Sequence, residues 1–183
     1  MKRIAARWLA FAAFAIPAPD TWRHETFTFP LTFAPSIPYS GTEYVRFSPS
    51  WSRFAADDGF SYVFLWDVKA VPVTTEDLED HLEGYFEGLM RGVAPGRKLE
   101  RPDIKTSAAL HPMTPLPDWS RAYGAQVRTW NAFSRAEPLL LHGEIAQREC
   151  AGGRMQVFFA FSRAPRDKPI WHGLREARNA TRC

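Results

Sequence analysis

Apolar and polar residues alternate along several short stretches of the chain, which is the pattern of β-strands. In the strongest stretch, residues 60–71, Phe64 and Trp66 lie on one face, and Val63 and Leu65 lie on the other. Because both faces are apolar, we expect this strand to be covered on both sides. Further strands are predicted at residues 27–33 (an edge strand, because of Pro30), 43–48, 105–110, 122–133, 139–150 and 154–162.

The apolar residues of 74–91 instead recur every three or four positions, which is typical of an amphipathic helix. Thr74 and Asp77 have the spacing of a capping box at its start. Gly84 and Gly88 lower the helix propensity of this segment by about 1 kcal/mol each. We interpret these two glycines as a sign that the helix comes close to the sheet.

The elements follow one another as three strands, the long helix, three or four strands, and a short helix at 170–181. Short turns join many of the strands, so most neighbouring strands are expected to run antiparallel. The sequence therefore predicts an α+β fold with a mainly antiparallel sheet of six or seven strands. One long amphipathic helix and a short C-terminal helix pack on that sheet.

The first eighteen residues, MKRIAARWLAFAAFAIPA, have the pattern of an export signal. Three basic residues accompany an apolar run over residues 8–16, which is too short to cross a bilayer as a helix. Ala13 and Ala15 fit a small-residue cleavage site, and residues 16–18 form a second, weaker one. We expect a cleaved signal over residues 1–18 and one globular domain over 19–183. We expect the mature chain to begin near Ile16 or Pro19 and to be secreted or periplasmic.

Charge supports this interpretation of the N-terminus. The chain has 23 basic and 20 acidic residues, and three of the basic residues belong to the leader, which has no acidic residue. The rest of the chain is therefore balanced, and we expect no nucleic-acid partner. No later apolar run has the length of a membrane span, so we expect no stable membrane anchor after cleavage.

The chain has two cysteines, Cys150 and Cys183. In an oxidising compartment two lone cysteines usually pair, so we predict a disulfide that ties the last residue to the body of the protein. The alternative is a reactive thiol. No Cys-x-x-Cys motif is present, and none of the five histidines has the spacing of a metal site. We therefore predict no metal site and no cofactor.

Alternation on two successive predicted strands suggests a polar patch. Arg128 and Trp130 share one face of the first strand, and His142 and Glu144 share one face of the second. If the faces coincide, His142 beside Glu144 can act as a general base while Arg128 holds an anion. The alternative is the solvent face of an antiparallel sheet with cross-strand ion pairs. Asp67, at the end of the central strand, is a second catalytic candidate, or simply the point where that strand meets water.

The long helix carries six acidic residues and no basic one before Arg91. Glu76, Asp80, Glu83 and Glu87 are expected to stack on one face. Such a stripe can meet a basic partner or hold Ca²⁺ loosely, although it lacks a calcium-binding loop. The simpler interpretation is a solvated helix face.

The segments SYVFLW (61–66), LEDHLEGYFEGLM (78–90) and FSRAPRDKPIWHGL (161–174), followed by a final cysteine, resemble an exported bacterial family without an assigned activity. This resemblance implies a secreted single domain with a terminal cysteine, and it implies no activity. The order of elements is also similar to small antiparallel-sheet domains of the PsbP and Mog1 kind. That likeness is architectural and transfers no function.

We expect a non-catalytic exported protein that binds a small molecule or a protein through an aromatic surface or cleft. Trp51, Phe54, Trp119 and Trp130 stand in or near predicted loops and are the candidates for that surface. One alternative is a small exported hydrolase that uses His142 and Glu144, or Asp67. Another is a structural or assembly component whose central strand is covered by a partner chain. No pattern indicates the oligomeric state.

Overall fold

The structure, a computed structural model, describes residues 15–183, so residues 1–14 of the predicted leader lie outside it. The elements in chain order are β1 (Arg23–Thr28), β2 (Gly41–Phe47), β3 (Tyr62–Lys69), α1 (Thr75–Val93), a 3-10 turn (Ala94–Arg97), β4 (Ser107–Met113), β5 (Arg121–Trp130), β6 (Pro138–Cys150), β7 (Arg154–Ser162) and α2 (Ile170–Ala180). The strands form one antiparallel sheet in the order β1-β2-β3-β7-β6-β5-β4. The predicted α+β fold is confirmed.

Strand β3 is covered on both faces, as its apolar pattern predicts. Phe64 and Trp66 belong to the larger core, which lies between the sheet and α1. Val63 and Leu65 belong to a smaller core on the opposite face, together with Trp171 of α2 and residues of the N-terminal segment 15–22. The chain therefore supplies both covers itself, and the packing of this strand needs no partner chain.

Helix α1 begins as predicted. Thr74 is its N-cap and accepts a hydrogen bond from the Asp77 backbone N–H at 3.1 Å, while the Asp77 carboxylate accepts from the Thr74 N–H at 2.8 Å. The prediction that Gly84 and Gly88 approach the sheet is wrong. A Cβ on Gly88 would overlap the backbone carbonyl of Phe33, so the close neighbour is the loop between β1 and β2.

The first strand lies earlier than predicted. It ends at Thr28, and residues 29–40 leave the sheet as a loop. Phe29 and Leu31 are buried in the larger core all the same. The alternation of apolar residues correctly indicates that these side chains are buried. Their backbone, however, forms a loop and not a strand. Pro30 has no N–H to offer a strand ladder, which agrees with its position just beyond the strand.

Edge strand β4 is protected by carboxylates of α1. Glu83 Oε1 accepts a hydrogen bond from the Ala108 N–H at 3.1 Å, and Glu79 Oε1 accepts from the Leu110 N–H at 2.6 Å. Two residues further on, Pro112 has no N–H to leave unpaired at this edge, so β4 continues through it to Met113, beyond the predicted end at residue 110. Pairing with another strand at this edge is thereby blocked along those positions.

The prediction that the acidic stripe of α1 is a solvated face is therefore wrong for Glu83, which binds β4. Glu87 also binds neighbours: its Oε1 accepts from Arg91 at 2.7 Å and from Arg101 at 2.6 Å, and its Oε2 accepts from Thr106 at 2.7 Å. Burial by itself raises the pKa of Glu87, but these hydrogen bonds outweigh it and hold the pKa at about 2. The carboxylate fastens the loop before β4 to the helix.

The predicted disulfide is present. Cys150, at the end of β6, is bonded to Cys183, which follows α2, with Cα atoms 5.5 Å apart. The bond ties the end of α2 to the β6–β7 hairpin. Within residues 15–183, no helix combines the length and the apolar character needed to cross a membrane.

Candidate functional site

A cavity of about 280 Å³ lies between the C-terminal half of α1 and the β1–β3 side of the sheet. We call it the aromatic cavity, because most of its wall consists of rings. The residues that line it are Arg23, Glu25, Phe27, Phe33, Val45, Phe47, Trp51, Phe60, Tyr62, Tyr85, Leu89, Val93 and Phe133.

Two loops and the sheet meet around Trp51 to close one side of this cavity. The Trp51 ring centroid lies 4.8 Å from that of Phe47 on β2 and 5.7 Å from that of Phe60. It lies 5.0 Å from Phe133, which stands in the turn after β5. In that turn the Asn131 side-chain amide donates to Glu137 at 2.9 Å. Rings in edge-to-face and tilted contact make a firm wall, which favours a preformed site.

Two polar atoms in this wall have no hydrogen-bond partner among the described residues. They are the indole N–H of Trp51 and the hydroxyl of Tyr62, and both are buried. Burial, and then the charge of Glu43, raise the pKa of Tyr62 well above its ordinary value, so the hydroxyl keeps its proton. Each unpaired buried group costs roughly 1–3 kcal/mol. Such groups are rare in folded proteins, and each one calls for an explanation, such as strain or a bound molecule.

A buried carboxyl group stands behind the cavity wall. Glu43 on β2 is 0% exposed and accepts hydrogen bonds from the Trp66 indole N–H at 2.6 Å and the Tyr85 hydroxyl at 3.1 Å. Burial raises the pKa of Glu43 to about 7, although both hydrogen bonds act to lower it and nearby Glu25 raises it further. Tyr85 lines the cavity, so its hydroxyl joins the wall to this carboxyl group.

Charges of both signs stand at the edge strand that borders the cavity. Arg23 and Glu25 are both exposed, and their charged atoms lie 3.9 Å apart. The Arg23 guanidinium also lies 5.5 Å from the ring centroid of Phe47 and 6.0 Å from that of Trp51. The border therefore has little net charge, and the interior is apolar.

The polar patch suggested by the sequence does not assemble. Trp130 is 0% exposed, belongs to the larger core, and donates its indole N–H to Glu87 at 3.3 Å. Arg128 is exposed and pairs in register with Leu140, four residues from Glu144 on β6. That separation is roughly 13 Å along the strand. Face alternation fails at Trp130 because the strand ends there and its ring turns toward α1.

Glu144 instead holds helix α2 against the sheet. It is 6% exposed, and its carboxylate accepts from Arg175 Nη2 at 2.6 Å and from Arg178 Nη1 at 2.9 Å. His142 is half-buried on the same strand. Burial, followed by the charge of Arg166, lowers the pKa of His142. The hydrolase hypothesis requires the Glu144 carboxylate to bind His142, but this carboxylate instead binds two arginines.

The other predicted residues lie apart from one another. Asp67 accepts a hydrogen bond from Arg154 Nε at 2.8 Å and another from Gln156 Nε2 at 3.2 Å, so it serves as a cross-strand ion-pair partner. Trp119 is buried in the smaller core, where the Arg148 guanidinium lies 4.1 Å from its ring centroid. Of the predicted binding residues, only Trp51 lines the aromatic cavity.

Sequence reasoning missed Glu43, Tyr85 and Phe133. One signal in β2 could have found the first of these, because Glu43 shares its strand face with Val45 and Phe47 by alternation. A carboxylate at an inward-facing position indicates a special environment. Tyr85 is indistinguishable from an ordinary core residue of the helix, and Phe133 from an ordinary loop residue.

No group of three or more His, Cys, Asp or Glu side chains within residues 15–183 is arranged to hold a metal ion. Comparison with known proteins adds no relative: no protein-family model, no curated protein and no solved structure matches this chain.

Proposed function

We propose that this protein binds a small, largely uncharged apolar molecule in the aromatic cavity. The observation that carries this proposal is the cavity itself, a ring-lined space next to a firm sheet and helix. Ligand sites in proteins are typically concave and mostly apolar, with a few polar groups placed among aromatic side chains. The unpaired polar atoms of Trp51 and Tyr62 lie within this aromatic wall.

The volume limits the size of the ligand. A cavity of about 150 Å³ lined by apolar residues can hold benzene. The aromatic cavity, at about 280 Å³, is less than twice that size and lies just under the range for drug-sized ligands. A molecule of one or two rings, or a short branched chain, matches this space.

The wall indicates the chemistry of the ligand. Rings in the wall offer edges and faces to a flat molecule, and such contacts contribute about 0.5–1.5 kcal/mol each beyond the burial of area. A charged group would be costly among these side chains unless it were paired. Arg23 and Glu25 largely compensate each other at the border, so they leave little preference for a charged ligand.

We also propose that the protein works outside the cytoplasm, in the periplasm or as a secreted protein. The Cys150–Cys183 disulfide supports this, because such bonds persist in oxidising compartments. The basic leader with its short apolar run supports it independently.

A matched pair of variants tests ligand binding. Val93→Phe places a larger side chain in the cavity wall, whereas Val71→Phe makes the same change at an exposed site outside it. Indole and 1-naphthol serve as probes, and binding is measured by calorimetry and by the rise in Tm on saturation. We expect binding to the wild type and to Val71→Phe, and at least a tenfold loss of affinity in Val93→Phe.

Two results would contradict the proposal. One is equal affinity of both variants for the probes, which would place binding elsewhere on the protein. The other is the absence of binding in the wild type, together with no small molecule released when natively purified protein is denatured and its extract is analysed by mass spectrometry.

A further inference from the structure

We infer that the export leader is cleaved between Ala15 and Ile16, and that the mature protein begins at Ile16, whose side chain completes the core beneath α2. This inference rests on the proposed export and is independent of the proposed ligand. The sequence offers two cleavage positions, after Ala15 and after Ala18. Folded structure distinguishes them, because the residues between the two positions are part of the domain.

Ile16 is a core residue. It is 1% exposed and belongs to the smaller core with Trp22, Val63 and Trp171. The large side chains of this core come from β3, β7, α2, the β4–β5 loop and the N-terminal segment, which contributes Ile16 and Trp22. Removing a fully buried isoleucine would leave a cavity in a close-packed interior.

The backbone of Ile16 is bound as well as its side chain. Its carbonyl oxygen accepts a hydrogen bond from Arg46 Nε at 3.1 Å. Arg46 is 6% exposed, and burial lowers the pKa of its guanidinium while Asp20 acts to raise it. Loss of this acceptor would remove one hydrogen bond from a largely buried charged side chain, which is costly.

The turn that follows directs Ile16 to this position. The Trp22 N–H donates to the Pro19 carbonyl at 2.9 Å, which turns the chain so that both Trp22 and Ile16 pack on the same face of the sheet. A chain that started at Pro19 would keep the turn but lose the residue that it places. A chain that started at Ile16 keeps both.

Residues on either side of the proposed bond agree with cleavage there. Ala13 and Ala15 are the small residues that such a site requires. Ala15 is half-buried at the rim of the smaller core, so a new amino group on Ile16 has water beside it. In the alternative site, Ile16 holds the position that Ala13 holds in the proposed one. The pattern calls for a small residue at that position, and isoleucine is large and branched.

The test uses the full chain with its own leader, expressed in a bacterial host that exports proteins. The N-terminus of the protein in the exported fraction is determined by intact mass and terminal sequencing. We expect Ile16. Two variants make a matched pair: Ala15→Glu places a charge at the proposed bond, and Ala18→Glu places the same charge at the alternative one. We expect Ala15→Glu to lose at least nine-tenths of the processed product, and Ala18→Glu to be processed at Ile16.

The possible failures are distinguishable. An exported protein that begins at Pro19, or an Ala15→Glu variant processed as the wild type is, overturns the cleavage position while export stands. A product that retains Met1 overturns the export proposal and this inference together. The exported Ile16→Ala variant tests the packing argument separately: we expect its urea midpoint to fall, and an unchanged midpoint contradicts the role of Ile16 in the core.

Discussion

The buried carboxyl group of Glu43 makes the stability of this protein depend on pH in an unusual direction. Its pKa is about 7 in the folded protein, against an ordinary value of 4.5 that applies to the unfolded chain. Below pH 4.5 the group is protonated in both states. Between pH 4.5 and 7 the folded protein keeps the proton and the unfolded chain releases it. A rise in pH therefore favours unfolding over this interval, and above pH 7 the effect is complete.

The size of the effect follows from the difference in pKa. Each unit of pKa difference corresponds to about 1.4 kcal/mol, so Glu43 lowers the free energy of unfolding by roughly 3 kcal/mol between pH 4.5 and pH 8. Most carboxylates act in the opposite sense, because their folded pKa is depressed. Glu87, with a pKa of about 2, is an example, and its contribution changes mainly below pH 4.5.

The variant Glu43→Gln isolates this contribution. Glutamine has nearly the same shape, and its amide can still accept from the Trp66 indole and bind the Tyr85 hydroxyl. It does not titrate. His81 and His142 have lowered pKa values and also affect stability in this interval, but they are present in both proteins and cancel in the difference.

Urea unfolding followed by tryptophan fluorescence at pH 4.5 to 8 measures the effect. We expect the difference in the free energy of unfolding, variant minus wild type, to rise by roughly 3 kcal/mol across that interval. If the two stability curves are parallel in pH, Glu43 does not titrate as its burial requires, and the reasoning is refuted.

Three further changes test the packing. Gly88→Ala forces the new methyl group against the Phe33 carbonyl, so we expect a loss of about 2 kcal/mol or more by urea unfolding, whereas a mild stabilisation would show that the loop moves freely. Replacing both Cys150 and Cys183 by serine should lower stability by roughly 3–4 kcal/mol relative to the oxidised wild type, and the reduced wild type, which also lacks the bond, should match the variant. Glu144→Ala leaves two arginines without their shared carboxylate and should cost about 3 kcal/mol, and an unchanged stability would contradict the role given to this carboxylate.

The sequence determined the α+β fold, because its main signals are local. The capping box at Thr74 and the helix periodicity that follows depend on residues only a few positions apart. The two-sided apolar pattern of residues 62–66 required cover on both faces, and two cysteines can pair within one chain in a single way. These features follow from short-range geometry and from the cost of exposing apolar surface, both of which can be derived from a single chain.

Hydrophobic and polar patterns indicate which side chains are buried, but they were less informative about backbone conformation and binding partners. The alternation at residues 27–33 correctly indicated that Phe29 and Leu31 are inside, but their backbone forms a loop. Likewise, acidic residues on α1 are typical of a solvated face, and yet Glu79 and Glu83 bind the edge of β4. In both cases the contacting residues lie far along the chain: Phe29 packs against Trp66, and the two glutamates bind β4. Local periodicity cannot identify such contacts.

Only the tertiary structure reveals the cavity in which we propose that a ligand binds. The wall of the aromatic cavity combines Phe47 of β2, Trp51 of a loop, Tyr85 of α1 and Phe133 of a distant turn, and no local pattern relates these four residues. Conversely, Trp130 was a reasonable surface candidate and lies in the core instead. The sequence by itself specified the elements and the two faces to be covered. The cavity arises from the space left between packed elements, which depends on their arrangement in three dimensions.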